Sequence, residues 1–190
     1  DKVILACGFA EGGSGTIGVD IATGRKVWSE KRGALALAAD AEHVYLIPSA
    51  WHIEGGALVR MKVDDGAYAP FERDGKALPF EYPLAELLGK DPPAFTGLAI
   101  CGDRLLLGLE DGSVAEIDKA TAALVKRHDV GADVQPAKGA PGHSGPGGDR
   151  MLLAGARDGG HFFCMKDGKL TQCTLADGST RAIPTPGLGQ

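Results

Sequence analysis

The sequence predicts an all-β chain of short antiparallel strands laid out as a repeat. Three observations carry that expectation. Apolar runs of four to six residues recur along the chain, Asp-Gly, Gly-Gly and Thr-Gly turn signals separate them, and the segments share one plan with a period of about 42 to 56 residues. The 29 glycines suit the positive φ that tight hairpin turns require.

The elements follow in order. In the first copy, residues 3–6 form an apolar strand, 8–15 a Gly-rich loop and 16–20 a second strand; Ile21-Ala22-Thr23-Gly24 then turns the chain into a strand at 26–28. The second copy places strands at 35–39, 44–47, 57–63 and 67–71, with turns at Asp40-Ala41-Glu42 and Asp64-Asp65-Gly66. In the third copy the strands are 97–100, 104–109, 113–118 and 124–127, turning at Cys101-Gly102-Asp103 and Glu110-Asp111-Gly112. A fourth begins near Val134 and runs through 151–154, 161–165 and 169–174, with turns at Asp158-Gly159-Gly160 and Asp167-Gly168. Residues 176–190 then supply a last strand and an extended exit. The repeats thus span 1–30, 33–72, 95–128 and 132–182 of a single domain 1–190, with 73–94 inserted. One segment, 83–88, reads as helix, because Pro83 stands at its start and Gly89 at its end.

Composition excludes several classes. Twenty Lys and Arg stand against 25 Asp and Glu, a net charge of −5, and no basic cluster exists, so the chain has no surface suited to tracking phosphates and nucleic acid is not an expected partner. With 24% charged and 44% hydrophobic residues, neither a disordered chain nor a membrane protein fits. The longest apolar stretches, 35–39 and 105–109, fall far short of the ~20 residues a membrane-spanning helix needs. The sequence begins at Asp1 with no initiator Met and shows no basic-then-apolar leader, which reads as a processed mature chain or a fragment. A periplasmic or extracellular setting is the expectation, with export not shown by the residues.

Several motifs invite chemistry and are better explained otherwise. Gly13-Ser14-Gly15-Thr16-Ile17-Gly18 fits G-x-G-x-x-G, but β-branched and turn residues follow where a dinucleotide site needs a helix. Gly142-His143-Ser144-Gly145 has Pro146 where a nucleophile elbow needs its last glycine. The five histidines show no local metal-ligand spacing, which leaves only a site assembled across repeats, and the Asp-Gly turns are too short for a calcium loop. Among four cysteines no C-x-x-C occurs. A turn on Asp167-Gly168 sets Cys164 against Thr171 and leaves Cys173 two residues off. A Cys164–Cys173 disulfide therefore needs a shifted register or a bulge, and two buried free thiols are the alternative.

The run Ile17-Gly18-Val19-Asp20-Ile21-Ala22-Thr23-Gly24-Arg25-Lys26-Val27-Trp28 resembles the repeat of quinoprotein-type (PQQ-like) β-propellers, whose blades carry an aspartate, a Thr-Gly turn and a docking tryptophan. Asp118-Lys119-Ala120-Thr121-Ala122 is similar in frame, with Ala122 replacing the glycine and no tryptophan; the second and fourth copies keep only the Asp-Gly turns. The resemblance implies an all-β propeller of about four blades. It is either a compact ring or, the favoured reading, part of a larger one, because the first copy lacks a preceding innermost strand. It also implies that the Thr-Gly and Trp residues hold blades together and do no chemistry.

Two function classes follow. The first is a non-catalytic interaction or assembly module within a larger extracytoplasmic protein, with a protein partner or self-association. Its candidate face is formed by Trp51 and His52 in the loop 48–56 and by Phe80, Glu81 and Tyr82 in the loop 72–94, since function on such scaffolds sits in loops. The alternative, implied by the resemblance alone, is a fragment of a quinoprotein-like dehydrogenase holding PQQ and calcium. The chain has no Asn, one of that family's usual metal ligands.

Overall fold

The computed structural model describes residues 2–7, 15–48, 56–130, 152–166 and 169–184. Every described strand pairing is antiparallel, and each main sheet is laid down in chain order. The chain divides into two compact units, residues 1–92 with 120–123, and residues 93–119 with 124–190.

In the first unit, β1 (Lys2–Cys7), β2 (Gly15–Asp20) and β3 (Lys26–Glu30) form a three-stranded sheet. The chain continues into β4 (Ala34–Ala39), β5 (His43–Pro48) and β6 (Ala57–Lys62), passes through the small hairpin β7 (Glu72–Arg73) and β8 (Lys76–Ala77), and returns as β9 (Glu81–Pro83). The second sheet has the order β4-β5-β6-β9. Residues 67–71, expected as its outer strand, form only a single bridge between Tyr68 and Met61. Lys62 N–H donates to Ala67 O and Ala69 N–H to Arg60 O on either side of that bridge, but Phe71 turns inward and is fully buried, so beside residues 57–59 the outer position passes to β9. Directly after β9 comes α1 (Leu84–Leu88), which buries Leu84 and Leu87 and ends at Gly89, whose N–H bonds Ala85 O at 3.0 Å.

The second unit holds two four-stranded sheets. One is β10 (Phe95–Cys101), β11 (Arg104–Leu109), β12 (Ser113–Asp118) and β13 (Leu124–Asp129). The other is β14 (Leu152–Gly155), β15 (His161–Lys166), β16 (Lys169–Thr174) and β17 (Thr180–Ile183). The expected start near Val134 lies outside the described residues. Inner strands such as β5 and β11 are buried on both faces, which is why they read as continuous apolar runs with little alternation.

A left-handed residue closes the corresponding turn in all four sheets, and in three of them the backbone bonds are the same. Asp20 N–H donates to Arg25 O and Gly24 N–H to Asp20 O, at 2.9 and 2.8 Å. The same pair of bonds links Lys62 to Ala67 and Gly66 to Lys62, and again Thr174 to Ser179 and Gly178 to Thr174. The closing residue is left-handed each time, with φ of 66° at Gly24, 70° at Gly66, 51° at Ala122 and 76° at Gly178. Ala122 therefore accepts a conformation that costs an L-residue about 1–2 kcal/mol. In the first turn Thr23 donates both its N–H (2.8 Å) and its hydroxyl (2.7 Å) to Asp20 Oδ1. The hydroxyl first and the N–H second hold the Asp20 carboxyl below its ordinary range.

Four residues past the first turn, Trp28 is 7% exposed, and its Nε1–H donates to Val63 O at 2.8 Å. The indole lies against Gly18, its cross-strand partner, and against Gly66 of the next sheet's turn. A Cβ on either glycine would come within 2.4 and 2.7 Å of the ring. Around it pack Val44, Leu46, Val59, Met61 and Val63, the core of the first unit.

Gly24 and Gly66 share a backbone conformation but not surroundings, since nothing lies within 4 Å of a Cβ at Gly24. Urea denaturation should show Gly24→Ala losing about 1 kcal/mol from its φ alone and Gly66→Ala about 3 kcal/mol or more, because the indole must also move. Equal losses would mean that Trp28 is not seated on Gly66.

Candidate functional site

Two groups of side chains stand apart from the scaffold, one at the surface of the first unit and one buried in the second.

The surface group grows from the loops around β9. Of the five residues expected to form an interaction face, Trp51 and His52 lie outside the described residues. Strand alternation separates the other three. Tyr82 points inward opposite Leu58 and is 4% exposed, so it is not a surface aromatic. Phe80 is 45% exposed and stacks on Tyr68, itself 38% exposed, with ring centroids 4.6 Å apart. Half-buried Glu81 accepts a bond from Arg32 Nη1.

Glu30, Arg32 and Tyr68 complete this group, and none was legible as a site residue in the sequence. Arg32 Nε donates to Glu30 Oε1 at 3.1 Å and Nη2 to the Tyr68 oxygen at 2.6 Å, while the Tyr68 hydroxyl donates to Glu30 Oε2 at 2.7 Å. Burial pushes the Glu30 carboxyl up, but the Tyr68 hydroxyl and the Arg32 guanidinium outweigh it and hold the group below its ordinary range. For Tyr68, burial first and the bond to Glu30 second raise the phenol. Burial opposes the Arg32 charge, yet Glu30 and Glu81 prevail and raise it. The ionic groups are thus engaged with one another, and the two rings are the apolar surface that remains on offer.

The buried group spans β12, β13 and β16. His128 Nε2 lies 2.8 Å from Glu116 Oε2, and Cys173 Sγ lies 3.8 Å from His128 Nδ1. All three residues are buried. Arg104 Nε donates to Glu116 Oε1 at 3.1 Å, which fixes Glu116 as the carboxylate acceptor. His128 thus bridges Glu116 through Nε2 and Cys173 through Nδ1, and Cys173 Sγ also lies 3.8 Å from Thr174 O. The edge of Phe162 faces the imidazole, with centroids 5.5 Å apart.

Thiol, imidazole and carboxylate follow the order of a nucleophile, base and orienter. The thiol, however, has no exposed surface, and burial first and Cys164 second push it up to about 11. A thiol held protonated is a poor nucleophile. The chain of bonds satisfies three buried polar groups, a structural role. Its members lie 12 and 45 residues apart, so no local motif could reveal them. The available signal was Glu116 inside the apolar run Val114-Ala115-Glu116-Ile117.

Cys164 stands opposite Thr171 and Cys173 opposite Phe162, in the unshifted hairpin register, and Cys101, Cys164 and Cys173 are free. The dinucleotide pattern fails because Gly15–Asp20 is a strand, β2, where Gly18 receives the indole. Gly142 to Gly145 lie outside the described residues. Among the described residues no group of His, Cys, Asp or Glu is placed to hold a metal ion, and Glu30, Glu81 and Glu116 are engaged by Arg32, Arg104 and His128. No helix among the described residues is long and apolar enough to cross a membrane.

The sheets and their recurring turn make the chain an all-β protein of the β-propeller class. Among solved structures it is similar to BamB from Moraxella catarrhalis (TM-score 0.50, 18% identity, covering 94% of this chain and 48% of that one). It is similar also to U3-55K (TM-score 0.55, 14% identity, 89% and 45%) and to the RRP9 WD40 repeats (TM-score 0.55, 14% identity, 89% and 44%). The chain thus spans about half the length of the structures it matches. No protein-family model and no curated protein matches the sequence.

Cys101, Cys164 and Cys173 should resist thiol reagents in the native protein near neutral pH and should all react in denaturant without reductant; a missing pair among them would establish a disulfide. The raised Cys173 group has a stability consequence. Its contribution is fully present below about 9, the ordinary thiol value, and is lost as pH rises toward about 11. The urea midpoint should fall across that window, and Cys173→Ala should remove part of the fall.

Proposed function

We propose that the chain is a non-catalytic propeller module of the PQQ-like repeat type that binds a protein, either a second copy or part of a larger extracytoplasmic assembly. The PQQ-like type is supported by the Asp20–Thr23 turn and by Trp28 docked on Gly66 and Val63. One observation carries the binding function: the stacked pair Phe80 and Tyr68, 45% and 38% exposed, beside ion pairs already closed among Arg32, Glu30 and Glu81. Exposed aromatics fixed by their neighbours are the kind of anchor that dominates protein interfaces, because little rotamer freedom is lost on contact.

The test is native mass spectrometry of the intact protein, at low and high salt before exchange into volatile buffer. A complex is expected that survives high salt, since the bridging charges are internal, and that weakens at least tenfold with Phe80→Ala or Tyr68→Phe/Phe80→Ala. A complex indifferent to both variants contradicts the proposal, and a lone chain at every concentration removes a second copy as the partner.

A further inference from the structure

We infer that Arg73, seated on Tyr82 and assisted by Arg60, docks the tetrapeptide Ala120–Ala123 in the way Trp28 docks the turn 62–66, so that the segment 67–83 is an internal clamp as well as the bearer of the exposed rings. The tetrapeptide belongs to the first compact unit, together with the residues that hold it. Arg73 Nη2 donates to Ala122 O at 2.7 Å and to Thr121 O at 3.2 Å. Arg60 Nη1 and the Glu72 N–H both reach Ala120 O, at 3.5 Å. Three successive carbonyls of one turn therefore face donors from the second repeat and from the first residue of the insertion that follows it.

The equivalence with Trp28 is positional. Trp28 offers a flat ring and one N–H donor, and it meets the carbonyl of Val63 inside the turn that Gly66 closes. In the second repeat the residue four places past the turn glycine is Pro70, which can supply neither ring face nor donor of that kind. The chain instead departs into the segment 67–83 and brings the Arg73 guanidinium beside that of Arg60 on β6. Each lies over an aromatic ring, Arg73 with its guanidinium carbon 5.5 Å from the Tyr82 centroid and Arg60 4.6 Å from that of Phe71. Phe71 is fully buried and Tyr82 nearly so, so each cation rests on a ring held by the core. Arg73 Nη1 also lies 3.4 Å from the Tyr82 hydroxyl. A planar, multi-donor cation stacked on a ring is the nearest chemical substitute for an indole that must both pack and donate. Because the contact is made to backbone carbonyls, it is indifferent to the side chains of the turn. That fits Ala122 at the closing position, where a left-handed φ of 51° turns its carbonyl toward Arg73.

Hydrogen exchange read by mass spectrometry on the full chain tests this with two reporters, a peptide covering 119–124 and one covering 62–66. Arg73→Lys keeps the charge but not the fork, and Tyr82→Leu keeps bulk but not the ring. Each should speed exchange in 119–124 at least tenfold while leaving 62–66 within twofold. Trp28→Phe should do the reverse. Exchange in 119–124 that is unchanged in both Arg73→Lys and Tyr82→Leu, or that rises together with 62–66, overturns the inference.

Discussion

The seat of one indole governs the first half of this molecule. Trp28 closes the gap between two sheets of the first unit by filling space that Gly18 and Gly66 leave empty, and it spends its one donor on Val63 O. Removing a buried aromatic of this size typically costs ~3–5 kcal/mol. Much follows from that single contact. Gly18 must lack a side chain in the middle of a strand, Gly66 must be glycine for two independent reasons, and Thr23 must hold Asp20 so that the turn delivers Trp28 in register.

The other repeats keep the turn and change what sits on it. In the second unit the bulge that precedes Trp28 in the first sheet recurs at the same point, between Glu116 and Ile117, and Lys126 takes the place opposite Glu116 that Trp28 takes opposite Gly18. A Cβ built on Gly178 would lie 3.0 Å from Lys126 Nζ and 3.5 Å from His128 Nδ1. A long cation and a buried imidazole thus cover the fourth turn. This explains why Glu116 is tolerated in an apolar strand: Arg104 and His128 satisfy both its oxygens. A repeat conserves backbone geometry, while ring, guanidinium and ammonium exchange roles above it.

The strands, turns and short helix were legible because hairpin chemistry is local: Asp-Gly and Thr-Gly pairs fix where the chain reverses, and Pro83 and Gly89 bracket α1. Trp28 was legible through its fixed distance from Gly24. The candidate face was legible only in part. Phe80 is exposed, whereas period-2 alternation in a three-residue strand turns Tyr82 inward, and a strand so short carries no pattern to read. Tyr68, Glu30 and Arg32 come together from separate elements, so only tertiary structure shows that their charges close on one another. The outer strand expected at 67–71 runs along β6 only as far as Ala69, because the burial of Phe71 takes the chain away and β9 fills the place beside residues 57–59.

With the dock as scaffold and the Phe80–Tyr68 pair as the surface it presents, the most direct test is proton exchange at the indole nitrogen of Trp28. A sample labelled with ¹⁵N-tryptophan gives one indole signal each for Trp28 and Trp51, and Trp28→Phe assigns them. Exchange of the Trp28 Nε1–H slowed to the rate of global unfolding is the expected result, as for a buried donor bonded to Val63 O. Exchange as fast as that of free indole would contradict the docking of the first sheet on the second.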